Sequence, residues 1–220
     1  LGADEVQALR AAYGVDEPLL VQYGQTLGNF LRGDFGYSVQ AGVPVAQALL
    51  ANLPATARLA GLGLAFAAVL AVALAFLATL TPFAWLRAAI QAVPGLFISI
   101  PVFWFAIMLI QIFSFRLKWI SMINPGEIEG LILPVLTLAL PISAPLAQIL
   151  MRNIDEVLPQ PFVSVARAKG ASPAGVLWRH VAKNAVLPTL TMAGVLLGEL
   201  LAGAVITETV FGLSGIGGLT

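Results

Sequence analysis

No cysteine occurs in the 220 residues, which excludes disulfides, thiol nucleophiles and thiolate metal sites. Histidine occurs once, at His180, without Cys, Asp or Glu at ligand spacing, so the sequence carries no metal-binding pattern. Charge is scarce: 10% of residues are Asp, Glu, Lys or Arg, against ~25% in an average soluble domain. The 11 basic and 11 acidic residues cancel, so no net charge draws the chain toward nucleic acid. No Gly-Lys dipeptide occurs, and without one a Walker A phosphate loop cannot be built. Asp34-Phe35-Gly36 spells the metal-binding tripeptide of protein kinases, but no HRD loop and no preceding glycine-rich loop accompany it. Gly215-Ile216-Gly217-Gly218 has no strand before it and no helix after it, so it reads as a turn rather than a phosphate cradle. The opening LGADEVQALRAAYGVDEPLL lacks the basic start and apolar core of a signal peptide. Together with the missing initiator Met and the loop-like GLSGIGGLT at the other end, it predicts a piece of a longer protein.

What the chain has in abundance is apolar surface: 59% of residues are hydrophobic and the mean hydropathy is +0.94. Three windows, 59–80, 88–115 and 131–151, contain no Asp, Glu, Lys or Arg, and 184–207 contains only Glu199. Each exceeds the roughly 18 residues that cross a ~30 Å hydrocarbon core. Four buried helices of a soluble protein would need a polar surface to cover them, which this composition does not supply. The ten-residue alternation of a membrane β-barrel is absent. The predicted fold class is therefore all-α, a polytopic transmembrane helix bundle with four spans. Pro94, Pro101, Pro134, Pro141 and Pro145 fall inside windows and predict kinked helices, tolerated where neighbours or a cavity take up the freed carbonyls.

Charge sets the orientation. Residues 152–183 carry Arg152, Arg167, Lys169, Arg179 and Lys183, whereas in 116–130 Arg116 and Lys118 are balanced by Glu127 and Glu129. The positive-inside rule makes the 152–183 loop cytoplasmic. Residues 1–57 then form an extracytoplasmic segment, and 58–220 the transmembrane domain with a cytoplasmic loop over 152–187.

That loop is the polar interruption of an apolar chain. After Pro161, FVSVARAKG predicts a short helix stopped at Gly170, a glycine suited to the left-handed C-cap. Ser172 followed by Pro173 predicts an N-cap and first helical position, opening a second helix to about Asn184. On it Val176, Leu177 and Val181 form an apolar face, with Arg179 and Lys183 toward the other side. Such a hairpin either contacts a protein or rests on anionic lipid. Glu199 is the one ionisable residue within a span and is a candidate functional acid, since burying a carboxylate is costly. Two readings stand for it: hydrogen-bonded or water-facing within the bundle, or a direct part in transport. Glu208, near the outer end of the same helix, is expected at the interface.

The stretch Ala166-Arg167-Ala168-Lys169-Gly170, followed by Arg179-His180, Lys183-Asn184-Ala185 and Pro188, resembles the cytoplasmic coupling loop of ABC-importer permeases of the dipeptide and oligopeptide branch. Ser164 and Val165 depart from the Glu-Ala that opens the general family pattern, and Ala182-Lys183 stands where its Leu-Pro would fall. Further matches are Gly33-Asp34-Phe35-Gly36, Leu53-Pro54-Ala55-Thr56, Leu201-Ala202-Gly203-Ala204, Glu208-Thr209-Val210-Phe211 and Gly215-Ile216-Gly217, in order along most of residues 17–218. The resemblance implies an inner-membrane permease subunit of a bacterial importer for short peptides, with four of six spans present. Nickel chelates, glutathione or oligosaccharides are alternatives within the class, and an ion-coupled carrier using Glu199 is a more distant one. The implied partners are a second permease, two cytoplasmic ATPases and an extracytoplasmic substrate-binding protein, all in a lipid bilayer. This chain would be no enzyme and would bind no cofactor, ATP and Mg belonging to the ATPases. The implied coupling residues are Ala166 to Gly170, Val176, Leu177, Arg179, His180, Lys183 and Asn184.

Cysteines placed at 175 and 127 should be labelled from opposite sides of the membrane, 175 from the cytoplasm. Labelling of both from one side would contradict the span count.

Overall fold

A computed structural model of the chain describes residues 18–38, 42–123 and 125–219. The first seventeen residues of the expected extracytoplasmic segment, and part of its Val-Gln-Ala-Gly-Val-Pro stretch, lie outside the described residues. The chain divides into two compact units. In the first, α1 (Leu19–Leu31) precedes two short antiparallel strands, β1 (Tyr37–Ser38) and β2 (Val43–Pro44). Asp34 turns the chain between them and α1: its carboxylate accepts a hydrogen bond from the Gly36 amide at 3.0 Å. Phe35 stacks edge-on against Phe30 at 5.1 Å. The Asp-Phe-Gly tripeptide thus shapes a turn.

The second unit is the helix bundle. α2 (Val45–Leu80) enters it, followed by α3 (Ala84–Ser99) and α4 (Val102–Leu109), which continues as a π-helical turn over Ile110–Arg116. Next come α5 (Glu129–Val157) and α6 (Pro161–Ala168). α7 (Pro173–Val176), a π turn at Leu177–Val181 and α8 (Ala182–Phe211) then run without a break. Among the described residues, three helices are long and apolar enough to cross a membrane: Val45–Leu80, Glu129–Val157 and Pro173–Phe211.

The window 88–115 behaves differently from the single kinked span its hydropathy suggests. Its two halves, Ala84–Ser99 and Val102–Arg116, meet at 100°. Pro101 is the cause. It has no amide to continue the ladder and its ring disfavours helical geometry at the residue before it. Ile100 accordingly stands extended, at φ −99° and ψ 123°. The broken pair nevertheless runs from one end of the bundle to the other. At its start Arg87 donates to the Ala78, Thr79 and Thr81 carbonyls at 3.0–3.5 Å, closing the last turn of α2. At its far end Ala106 and Leu109 share a buried cluster with Leu133 and Phe211. Counted as one broken span, it gives the four crossings.

The core is built on small residues. Ala60, Ala67, Ala71, Ala75 and Ala78 of α2 are all buried, and Gly63 and Gly203 approach Leu138 so closely that a β-carbon on either would lie 3.3 Å from its side chain. In lipid, where burying apolar surface yields little, such close backbone approach is what holds helices together. α5 lies at the centre, with half of its most apolar window buried, against 22% for the segment containing α8.

A loop after α8 folds back over the outer end. Gly212 caps the helix at φ 63°, and Glu208, 1% exposed, accepts a hydrogen bond from the Gly217 amide at 2.8 Å. Thr209 donates to the Gly217 carbonyl at 3.0 Å, and the Ile216 amide donates to the hydroxyl of buried Thr56 at 3.0 Å. Glu208, expected at the interface, is instead the buried acid, because the glycine-rich loop wraps it. A β-carbon at Gly215 would overlap its carboxylate, and one at Gly217 would overlap the Val205 carbonyl oxygen. Gly217→Ala should therefore lower stability by about 1–3 kcal/mol, read as a lowered unfolding midpoint of the purified protein, whereas Gly218→Ala should cost less.

Candidate functional site

The hairpin after α5 is built in the order the sequence predicts. Pro161 opens α6 at its first turn. Ala166 and Arg167 then supply the last carbonyls: the Ala171 amide bonds to Ala166 at 3.2 Å and the Gly170 amide to Arg167 at 2.9 Å. This is the paired closure that needs a left-handed residue between, and Gly170 has φ +84°. Ser172 caps the next helix, its hydroxyl accepting from the Gly175 amide at 3.2 Å. Pro173 takes the first helical position.

The second helix departs from expectation, as it does not stop near Asn184. It continues through the π turn into α8, making a single segment of 39 residues from Pro173 to Phe211. The physical reason is that nothing near Asn184 breaks the ladder. Asn184 turns its side-chain amide back to the His180 carbonyl at 3.0 Å, and Pro188 lies inside the helix.

The hairpin has two faces. Val163, Ala166, Val176, Leu177, Val181 and Ala185 are buried in the main core with Ile154 and Val157 of α5. Asn153 reinforces this seam, donating to the Ala185 carbonyl at 3.2 Å, and Trp178 meets Phe76 edge-on at 5.8 Å. Ala166, Val176 and Leu177 therefore anchor the hairpin to the bundle and are not available to a partner. Arg167, Ala168, Lys169, Gly170, Arg179, His180, Lys183 and Asn184 are exposed. The apolar side chains of Phe162, Val165 and Trp178 are exposed with them, at 39%, 54% and 65%. These three aromatic and branched residues were not singled out by sequence reasoning. Their signal is their place on the outward side of helices whose other side is apolar too.

Glu199 is exposed on α8. Among the described residues no group of His, Cys, Asp and Glu could hold a metal ion.

Three long apolar helices, a bent pair that can count as a fourth crossing and a structured basic hairpin at one end make this a multi-pass membrane protein. Residues 68–220 match the family described as binding-protein-dependent transport system inner membrane component. A probable peptide ABC transporter permease of Sinorhizobium fredii is 36% identical, over 97% of this chain and 71% of that protein. The oligopeptide transport system permease AppB of Bacillus subtilis is 33% identical, over 94% and 69%. The glutathione transport system permease GsiC of Escherichia coli is 31% identical, over 99% and 71%. A crystal structure of an amino acid ABC transporter with histidines aligns at a TM-score of 0.56, covering 77% of this chain and 74% of that one. At 18% identity that likeness speaks for the fold alone. The chain belongs to the family of binding-protein-dependent transport system inner membrane components, as a permease subunit of an ABC importer.

Gly170→Val should strain the hairpin by about 1–3 kcal/mol, because a β-branched residue resists the left-handed region. Gly170→Asn should cost less, since Asn tolerates that region. Limited proteolysis between 168 and 174 in membranes should rank the variants wild type, Asn, Val, with the membrane topology of all three unchanged.

Proposed function

We propose that this subunit moves di- and oligopeptides inward, paired with a second permease, and takes its energy from cytoplasmic ATPases docked on the hairpin. The observation that carries this reading is the division of the hairpin into a face buried in the bundle and a basic outer face carrying Phe162, Val165 and Trp178. With Val163, Val176, Leu177 and Val181 buried in the bundle, the hairpin is held in one orientation and presents Phe162, Val165 and Trp178 among its basic residues as a fixed surface, as a docking partner requires. A rigid lever results: Pro173–Phe211 is one helical segment, so a push on the hairpin is delivered directly to a span. The exposed surface of α8 carrying Glu199 is where the second permease and the path between the two would lie. An extracytoplasmic binding protein delivering the peptide follows from the family, and peptides as cargo are supported by the relatives from Sinorhizobium fredii and Bacillus subtilis. Glutathione is the second reading, favoured by the relative from Escherichia coli.

The assembled transporter in proteoliposomes, with its binding protein outside, should take up labelled tri- to pentapeptides only when ATP is supplied to the ATPase side. Gly170→Val should uncouple it, reducing peptide-stimulated ATP hydrolysis by about tenfold or more. Glu199→Gln should leave ATP-driven uptake largely intact. Uptake that follows an imposed ion gradient without ATP and vanishes in Glu199→Gln would establish the ion-coupled carrier instead.

A further inference from the structure

An open apolar groove of about 580 Å³ runs along the outside of the bundle between α2 and α5. Leu62, Phe66 and Val69 form one wall, and Ile128 and Ile132 the other. All five are exposed, from 42% to 78%. At the extracytoplasmic end the guanidinium of Arg58 pairs with the carboxylate of Glu127. The two side chains remain 50% and 76% exposed, so the pair is accessible from outside the bundle, with Arg58 itself lining the groove.

The geometry points to a specific site for one phospholipid of the extracytoplasmic leaflet, a zwitterionic lipid whose phosphate and primary ammonium lie side by side. Three features agree on this occupant. The groove is wholly apolar below its mouth, which suits a hydrocarbon chain and offers nothing to a polar solute. At about 1.5 Å per residue, Arg58 to Val69 spans roughly 16 Å along the helix axis. That is about half of a ~30 Å hydrocarbon core, the depth of one leaflet. The mouth presents adjacent positive and negative groups. A phosphate on Arg58 and an ammonium on Glu127 complement both, while an anionic headgroup without an amine leaves Glu127 facing negative charge. Such a lipid would fill a furrow that separates two spans and bridge the Arg58 turn of α2 and the start of α5 by its headgroup. This inference requires that α2 and α5 span the bilayer with the basic hairpin on the cytoplasmic side, and is independent of the substrate.

The test uses the assembled transporter in nanodiscs with phosphatidylethanolamine carrying a diazirine at mid-chain, with phosphatidylglycerol bearing the same chain as comparison. After irradiation, adducts are mapped by mass spectrometry. Ethanolamine-lipid adducts should concentrate on Phe66, Val69 and Ile132, and Ala65→Trp, which fills the groove, should reduce them by about tenfold. Should Ala65→Trp fail to assemble, the surface variant Glu127→Gln reads the same site, because it should abolish the preference for the ethanolamine over the glycerol headgroup. Adducts spread evenly over the exposed faces of α2 and α8, or indifferent to both substitutions, would reduce the groove to ordinary annular contact and overturn the proposal. Protection of the groove by another protein chain would overturn it equally.

Discussion

Hydrocarbon cannot hydrogen-bond a peptide group, so every amide and carbonyl at membrane depth must be satisfied within the protein. The long helices meet this demand along their length, and the irregular parts of the chain occur where something else can meet it. The carbonyls that end α2 go to the Arg87 guanidinium. The loop after α8 directs the Gly217 amide to Glu208 and the Ile216 amide to Thr56. In each case a polar side chain is drawn into the bundle's end to complete what the backbone leaves open. The charges in the described bundle are few because most of them are assigned to such places or to the aqueous ends.

The hairpin obeys the same demand from the aqueous side. It turns through Gly170 and restarts at Ser172, two local devices that spend only backbone and one hydroxyl. Its buried apolar side chains close that end of the core instead of facing water. The basic residues remain outward by default, on a piece that cannot swing freely because Val163, Val176, Leu177 and Val181 are buried in the bundle. Continuity from Pro173 to Phe211 then makes the hairpin the end of a span rather than a tether between two spans. On the proposal that ATPases drive the subunit through the hairpin, that continuity would let a local push become a rigid-body movement.

Two acids on one helix separate what can be foreseen from what cannot. Glu199 stands inside an unbroken apolar window and draws attention by composition, yet it is exposed on the bundle. Glu208 sits close to the helix end, where composition suggests an interfacial residue, yet it is the buried one. Helical position alone could not separate them. The eight residues between Glu208 and Gly217 had first to fold back, and the glycines at 215 and 217 had to leave room for the carboxylate.

The lipid solvent, the all-helical class and the turn at Gly170 could be read from the amino acids alone. These depend on window length, charge count and short-range backbone chemistry, which operate within a few residues. The sequence also determined the family, through motifs spread in order along the chain. Tertiary structure decided the rest. It broke the second crossing at Pro101 by 100°, because whether a proline kinks or breaks a helix depends on how its neighbours pack. It assigned Ala166, Val176 and Leu177 to the core and left Arg167, Lys169, Arg179 and Lys183 outside, because amphipathicity names two faces but not which surface each one meets. It set Arg58 beside Glu127, 69 residues apart, at the mouth of an apolar groove, since only the packing of α2 alongside α5 brings those charges together.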